Sequence, residues 1–239
     1  MAAVAHVAAA QRPFAGQVPG LRLRTLRDGR DEGLRARRIR GRTPGDGGHA
    51  AQVRQRRIVV GAARQQGLAG IEQAPAGTRS FALLVVDPDV PTVPETTNRD
   101  DMEVPADQPR QDFYHWVMVD IPAQVQALAA GSCADSFVAG GKRTPAGPSG
   151  ARQGLNDYTG YFEGNAQLAG QYFGYDGPYP PYNDARLHHY HFRLYALDLE
   201  RVPVEGAFTG QDMLKAIEGH VLGQAEWVGT YTLNSKLGG

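Results

Sequence analysis

The chain has 239 residues, 41% hydrophobic and 21% charged, a composition that suits a soluble globular protein with one sizeable core. Its 25 basic and 25 acidic residues cancel, so no overall charge draws it to nucleic acid or to an anionic membrane. The single cysteine, Cys133, excludes an intrachain disulfide, and no window is long and apolar enough to cross a membrane as a helix.

The zero net charge conceals a division along the chain. Residues 1–60 hold 13 arginines, no lysine and 4 acids, a net of +9, and the remaining 179 residues hold 12 basic against 21 acidic residues, a net of −9. The start, MAAVAHVAAAQRPFAG, has neither a basic residue ahead of its alanine run nor a long apolar stretch, so it is not read as a secretory signal, and a cytoplasmic protein is expected. Residues 21–57 interleave arginine with glycine and alanine and follow neither the helical nor the strand period. Such a segment buries too little apolar surface to offset its ordering entropy. A nucleic-acid-binding arm would share its charge but would carry interleaved aromatics, which it lacks. A disordered extension, or GC-rich DNA translated in a shifted frame, accounts better for the bias. Residues 1–73 are therefore set apart from a domain over residues 74–239.

Regular structure begins near Gly77. SFALLVV, residues 80–86, is a continuous apolar run of strand length that the turn-rich DPDVP is expected to end. It delivers Asp87 and Asp89 to the strand's C-terminal end. Residues 92–111 are polar and proline-rich and read as an exposed loop. The next strand is FYHWVMVDIP, residues 113–122. Its alternation puts Phe113, His115, Val117 and Val119 on one face and Tyr114, Trp116 and Met118 on the other. Residues 129–184 form a long Gly/Pro/Asn-rich connection whose many aromatics argue for order. LHHYHFRLYALDL then reads as a strand with His188, Tyr190, Phe192 and Leu194 on one face and His189, His191, Arg193 and Tyr195 on the other. Near the end, TGQDMLKAIEGHVL pairs Thr209 with Asp212 in an N-cap pattern and repeats Met213, Ile217 and Val221 at helical spacing. EWVGTYTL reads as a last strand. Strands joined by long loops predict a β-rich core with a peripheral helix.

Three stations carry polar residues where strands end or enter the core: Asp87 with Asp89, His115, and His188 with Tyr190. The last two lie two residues apart on one strand face, about 6 to 7 Å along it. With backbone N–H groups from a glycine-rich loop they would make a phosphate or carboxylate cradle. Each element also has a plainer role. An aspartate in Asp-Pro-Asp closes turns with its own backbone, a histidine on an apolar face is often a hydrogen-bonded core residue, and GPYPP alone is a rigid turn. A His-x-His pair, His189 and His191, could join His115 or Asp87 in a three-ligand metal site, although the pair lies on the face opposite His188. No Gly-x-Ser-x-Gly elbow and no glycine-rich phosphate loop is present.

Taken in order, SFALLVVDPDVP, DFYHWVMVDIP, GYDGPYPP and LHHYHFRLYALD resemble the phosphatidylethanolamine-binding protein family, specifically its bacterial Raf-kinase-inhibitor-like branch, from Ala74 to the C-terminus. The resemblance implies a mostly-β fold, a β-sandwich with a large central sheet and few peripheral helices, and a small anion pocket near the surface. Carried over residue by residue, the pocket takes Asp87, Asp89 and Pro91 from the first motif and His115 from the second. Gly177 and Pro181 come from the turn, and His188 and Tyr190 from the last motif. The implied ligand is phosphate, acetate or a phosphoethanolamine-like head group, held without metal, cofactor or catalysis and able to modulate a protein partner such as a kinase. His189 and His191 become structural or surface residues.

The chain departs from the family at several places. His189 stands where an arginine is common, and Tyr179 replaces a small residue or cysteine and could narrow the pocket mouth. Upstream, GAARQQGLAGIEQ lacks the proline and tryptophan that the family packs against its sheet. Two other readings stand beside the binding protein: a metal-dependent hydrolase using the histidines, and an interaction protein with a vestigial pocket that uses residues 92–111 as its contact surface. A homodimer is compatible with each.

Overall fold

The computed structural model describes residues 74–125, 128, 133, 137–143 and 146–237. The expectations for residues 1–73 lie outside them. The described strands are β1 (Ser80–Pro91), β2 (Arg110–Pro122), β3 (Arg152–Gln153), β4 (His188–Leu197) and β5 (Val221–Tyr231), accompanied by two short helices, α1 (Tyr158–Tyr161) and α2 (Gly210–Ala216). They form one open antiparallel sheet in the order β3-β2-β1-β4-β5. The mostly-β expectation holds.

β1 is central because both of its faces are apolar, and each face closes a separate core. On one side Phe81, Leu83 and Val85 pack with Trp116, Met118, Tyr190, Phe192 and Leu194. On the other, Ala82 and Leu84 meet Val117, Val119, Tyr195 and Leu197 under Phe208, Met213 and Ile217 of the α2 region. Each such aliphatic or aromatic side chain stabilises the fold by about 1.5–3 kcal/mol through burial. A third cluster, Phe113 with Tyr158, Phe162, Leu168 and Tyr172, orders the long connection. There two backbones touch: a Cβ on Gly141 would lie 2.0 Å from the Gln171 carbonyl oxygen, and one on Gly170 would lie 2.0 Å from that of Gly140.

Four details differ from the reading of the sequence. DPDVP does not end β1, which continues to Pro91 through a register shift between Asp87 and Val90. The irregularity accommodates Pro88, which has no N–H for a regular ladder. In β2, Trp116 lies opposite Val85 and Tyr114 opposite Val86, leaving His115 as the extra residue of a bulge. One extra residue reverses the period-2 alternation beyond it. Tyr114 therefore packs toward Val117 and Val119, and His115 faces Tyr190 on the Trp116 side. At α2 the Thr209–Asp212 capping box forms as the pattern predicts, but the helix stops at Ala216 and Val221 opens β5, 40% exposed.

Residues 92–111 are not simply an exposed loop. Val104 is fully buried and bridges to Asp184. Asn183 fixes the loop, donating through Nδ2 to the carbonyls of Thr96 and Met102 and accepting at Oδ1 from the Asn98 backbone. The loop is thereby tied to the segment that leads into β4.

Candidate functional site

The end of β1, the bulge of β2 and the head of β4 meet on the Trp116 side of the sheet, beside a cavity of about 550 Å³. Of the residues the resemblance assigns to a pocket, Asp87, Pro91, His115, Pro181 and His188 line it. Its wider walls come from Phe113, Tyr158, Tyr161, Phe162 and Tyr179, with the carboxylates of Asp112 and Asp157. Tyr179 is about a third exposed.

His188 is fully buried between two carboxylates. Its Nδ1 lies 2.6 Å from Asp87 Oδ2 and its Nε2 lies 3.1 Å from Asp184 Oδ2. Ionised carboxylates only accept, so both ring nitrogens carry hydrogen and the ring is an imidazolium. Burial works against that charge, but the hydrogen bonds to Asp184 and Asp87 outweigh it and hold the pKa up at about 9. Burial also opposes the charge of Asp87, yet His115 and His188 together keep its carboxyl well below the usual carboxylate range. Its other oxygen, Oδ1, accepts from the Asp89 backbone N–H at 2.8 Å. Asp87 thus does both things the sequence allowed: it closes its own turn and it lines the cavity.

His115 is placed differently. Its Nδ1 faces the Gly177 carbonyl at 3.1 Å, and since a carbonyl only accepts, that nitrogen bears the hydrogen. Its Nε2 is buried, has no hydrogen-bond partner among the described residues and lies 3.9 Å from Asp87 Oδ2. Gly177 aims its carbonyl from a φ of 82°, a conformation that favours glycine. Behind that turn, buried Asp176 lies 3.0 Å from Lys142 Nζ and accepts from Asn156 Nδ2 at 2.8 Å. Tyr190 sits with its ring 5.3 Å from that of His115, and its buried hydroxyl likewise has no partner. Burial pushes that phenol far above its ordinary pKa, so it remains a neutral donor.

Three expected site residues do not line the cavity. Gly177 and Tyr190 stand behind His115. Asp89 points elsewhere: its Oδ2 accepts from the His189 backbone at 2.9 Å and lies 2.8 Å from His189 Nδ1, and its Oδ1 accepts from Arg186 at 3.2 Å. It anchors the head of β4. His191 pairs with Glu226 on the opposite face. Among the described residues no three His, Cys, Asp or Glu side chains are placed to hold a metal ion.

Asp184, Arg110 and Asp157 were missed by the sequence reading. Asp184 lies in NDARLHH, four residues before His188, where it reads as a turn residue. Arg110 closes what reads as an exposed loop. Asp157 accepts from the Tyr114 backbone N–H at 2.7 Å, and burial pushes its pKa up. Among the described residues no lysine or arginine lines the cavity.

Comparison with known proteins places the chain in a family. A family model described as phosphatidylethanolamine-binding protein matches residues 68–232. The UPF0098 protein YbcL of Escherichia coli is 33% identical over 136 residues, 57% of this chain and 54% of its own length. UPF0098 proteins of Aquifex aeolicus and Methanothermobacter thermautotrophicus are 30% and 32% identical, over 71% and 76% of their lengths and 68% and 66% of this chain. The crystal structure of YbcL, described as a new member of the mammalian PEBP family, aligns with a TM-score of 0.46 at 30% identity, covering 66% of this chain and 74% of YbcL. With its four motifs gathered around one cavity and the family model matched over most of its length, the chain belongs to the phosphatidylethanolamine-binding protein family.

Proposed function

We propose that the protein is a non-catalytic binding protein whose cavity takes a small phosphate monoester that carries its own positive charge, of the phosphoethanolamine type. The observation that carries this reading is a buried polar atom of a cavity-lining residue, His115 Nε2, which has no hydrogen-bond partner among the described residues. Leaving such a group unsatisfied costs about 1–3 kcal/mol, which a phosphate hydroxyl donating to the Nε2 lone pair would recover. The charge of the walls supports a zwitterion. Asp87 is balanced by His188, and among the described residues the cavity lining includes Asp112 and Asp157 but no lysine or arginine, Arg193 acting on Asp112 from outside it. A bare phosphate anion would meet more negative than positive charge on that lining, whereas an ammonium beside the carboxylates would also lie among the rings of Phe113, Tyr158 and Tyr161.

The absence of catalysis is supported by the same geometry. Both nitrogens of His188 are held by carboxylates, and no hydroxyl or thiol among the described residues is hydrogen-bonded to His115. Pro94, Thr97 and Asn98 of the pinned loop line the cavity, which gives an occupied cavity a route to modulating a protein partner such as a kinase.

Calorimetric titration with O-phosphoethanolamine, inorganic phosphate and ethanolamine, each with and without chelator, tests the reading. The zwitterion should bind at least tenfold more tightly than either fragment, indifferent to chelator. No saturable binding of any of the three overturns the proposal, and binding abolished by chelator returns the site to a metal.

A further inference from the structure

We propose that Asp184 and Arg110 are positioning residues that lock His188 as a permanent imidazolium, so that His188 acts as a fixed internal countercharge for Asp87 and leaves the hydrogen bond to the ligand to His115. Arg110 grips Asp184 through two parallel bonds, Nη1 to Oδ2 at 2.5 Å and Nη2 to Oδ1 at 3.0 Å, with side chains only 6% and 1% exposed. The guanidinium is itself immobile, donating further to the carbonyls of Asp89, Pro105 and Gln108. Asp184 also accepts from the Arg186 backbone N–H, and its own carbonyl accepts from Asn234 Nδ2. The carboxylate therefore cannot turn away from His188 Nε2.

The result is an alternating row, Arg110, Asp184, His188 and Asp87, in which each charge touches one of the opposite sign. A buried ion pair is weak evidence of stabilisation, because desolvation offsets most of the attraction. Its effect here is on charge. With His188 protonated the inner wall of the cavity is neutral; with His188 deprotonated, Asp87 would face an incoming phosphate uncompensated, 3.9 Å from the nitrogen proposed to bind it. The groups facing His188 are Asp87 from β1, His115 from β2, Asp184 with Arg110 behind it, Tyr190 two residues along β4, and Tyr231, its register partner on β5. Only the two carboxylates hydrogen-bond to its ring.

The lock is tested first in the ligand-free wild-type protein, by the ring nitrogen resonances of His188 across the neutral range. Both nitrogens should be protonated and unchanged between pH 6 and pH 8; a His188 that titrates there overturns the inference with no variant needed. Asp184→Asn should then make His188 titrate in that range. The ligand consequence rests on the function proposed above. The ratio of wild-type to Asp184→Asn affinity for O-phosphoethanolamine should widen at least tenfold from pH 6 to pH 8, because only the wild type keeps the countercharge at the higher pH. Comparing the two proteins cancels the titration of the ligand. A loss that is the same at every pH marks Asp184 as merely structural and overturns the inference. A locked His188 in a protein that binds none of the probes sinks the proposed function instead.

Discussion

His115 Nε2 stops 3.9 Å short of Asp87 Oδ2 because His188 already holds that oxygen at 2.6 Å. One histidine is spent inside the protein and the other is left facing the cavity. Replacing His115 with alanine should therefore weaken O-phosphoethanolamine binding by about 1.5–3 kcal/mol, or roughly 10- to 100-fold, the effect of deleting a hydrogen bond to a charged group. His189→Ala should leave the affinity within about twofold, since that ring is half-exposed and bonded to Asp89 outside the cavity. Calorimetry on the two variants checks both, and a large loss at His189 would move the site to the other face of β4.

Tyr190→Phe separates ligand binding from folding. The hydroxyl it removes has no hydrogen-bond partner among the described residues, so the variant should be about as stable as the wild type. If the hydroxyl donates to the ligand, affinity should fall by about 1 kcal/mol, roughly fivefold. Urea unfolding and titration on the same sample read the two effects. A variant that loses stability without losing affinity would show the hydroxyl to be a core donor.

The sequence shows the strands and the four motifs clearly because each rests on local pattern: apolar runs, proline-rich turns and the Thr209–Asp212 cap. The face of His115 was read wrongly for a physical reason. Alternation assumes a regular pleat, and the bulge that reverses it arises from how β2 pairs with β1, residues far apart in sequence. Asp184 and Arg110 were missed on the same grounds. They are 74 positions apart, and nothing in NDARLHH or PRQDF marks either as half of a buried pair. Asp89 shows the converse, a motif residue whose carboxylate serves the turn and β4 rather than the cavity. Residue type carried the chemistry, and tertiary contact decided which atoms were left to do it.

Gly141→Ala tests whether the long connection supports the aromatic wall. A Cβ there would lie 2.0 Å from the Gln171 carbonyl oxygen, on a residue whose φ is 86°. Gln171 precedes Tyr172, which stacks on Phe137 within the cluster that includes Tyr158. The substitution should cost more than 1 kcal/mol in stability from the strained backbone alone, with a further loss of affinity as Tyr158 shifts. Gly164→Ala is the control: φ is also positive, at 78°, but no atom lies within 4 Å of the new Cβ. It should show only the smaller backbone cost and unchanged binding, and equal effects at the two sites would mean that the contact with Gln171 is unimportant.

The dependence of stability on pH follows from the same four charges. Folding raises the pKa of His188 from an ordinary 6.5 to about 9, so the folded protein binds that proton more tightly than the unfolded chain does. The stabilisation, of order 3 kcal/mol, is fully present below pH 6.5, declines above it and is gone once the pH has passed about 9. Asp87 and Asp184 act in the opposite direction. Burial opposes their charge, but the histidines, and for Asp184 also Arg110, hold both carboxyls below their ordinary 3.8. Their stabilisation is complete above about pH 4 and is lost in acid as the pH falls through their depressed folded values. Thermal unfolding should show a plateau between about pH 4 and 6.5, a decline from there to about pH 9, and a separate acid limb. His188→Gln should lower the plateau and remove most of the alkaline decline while keeping an acid limb. An alkaline decline that survives this substitution unchanged would place the titrating group elsewhere and leave the imidazolium without thermodynamic support.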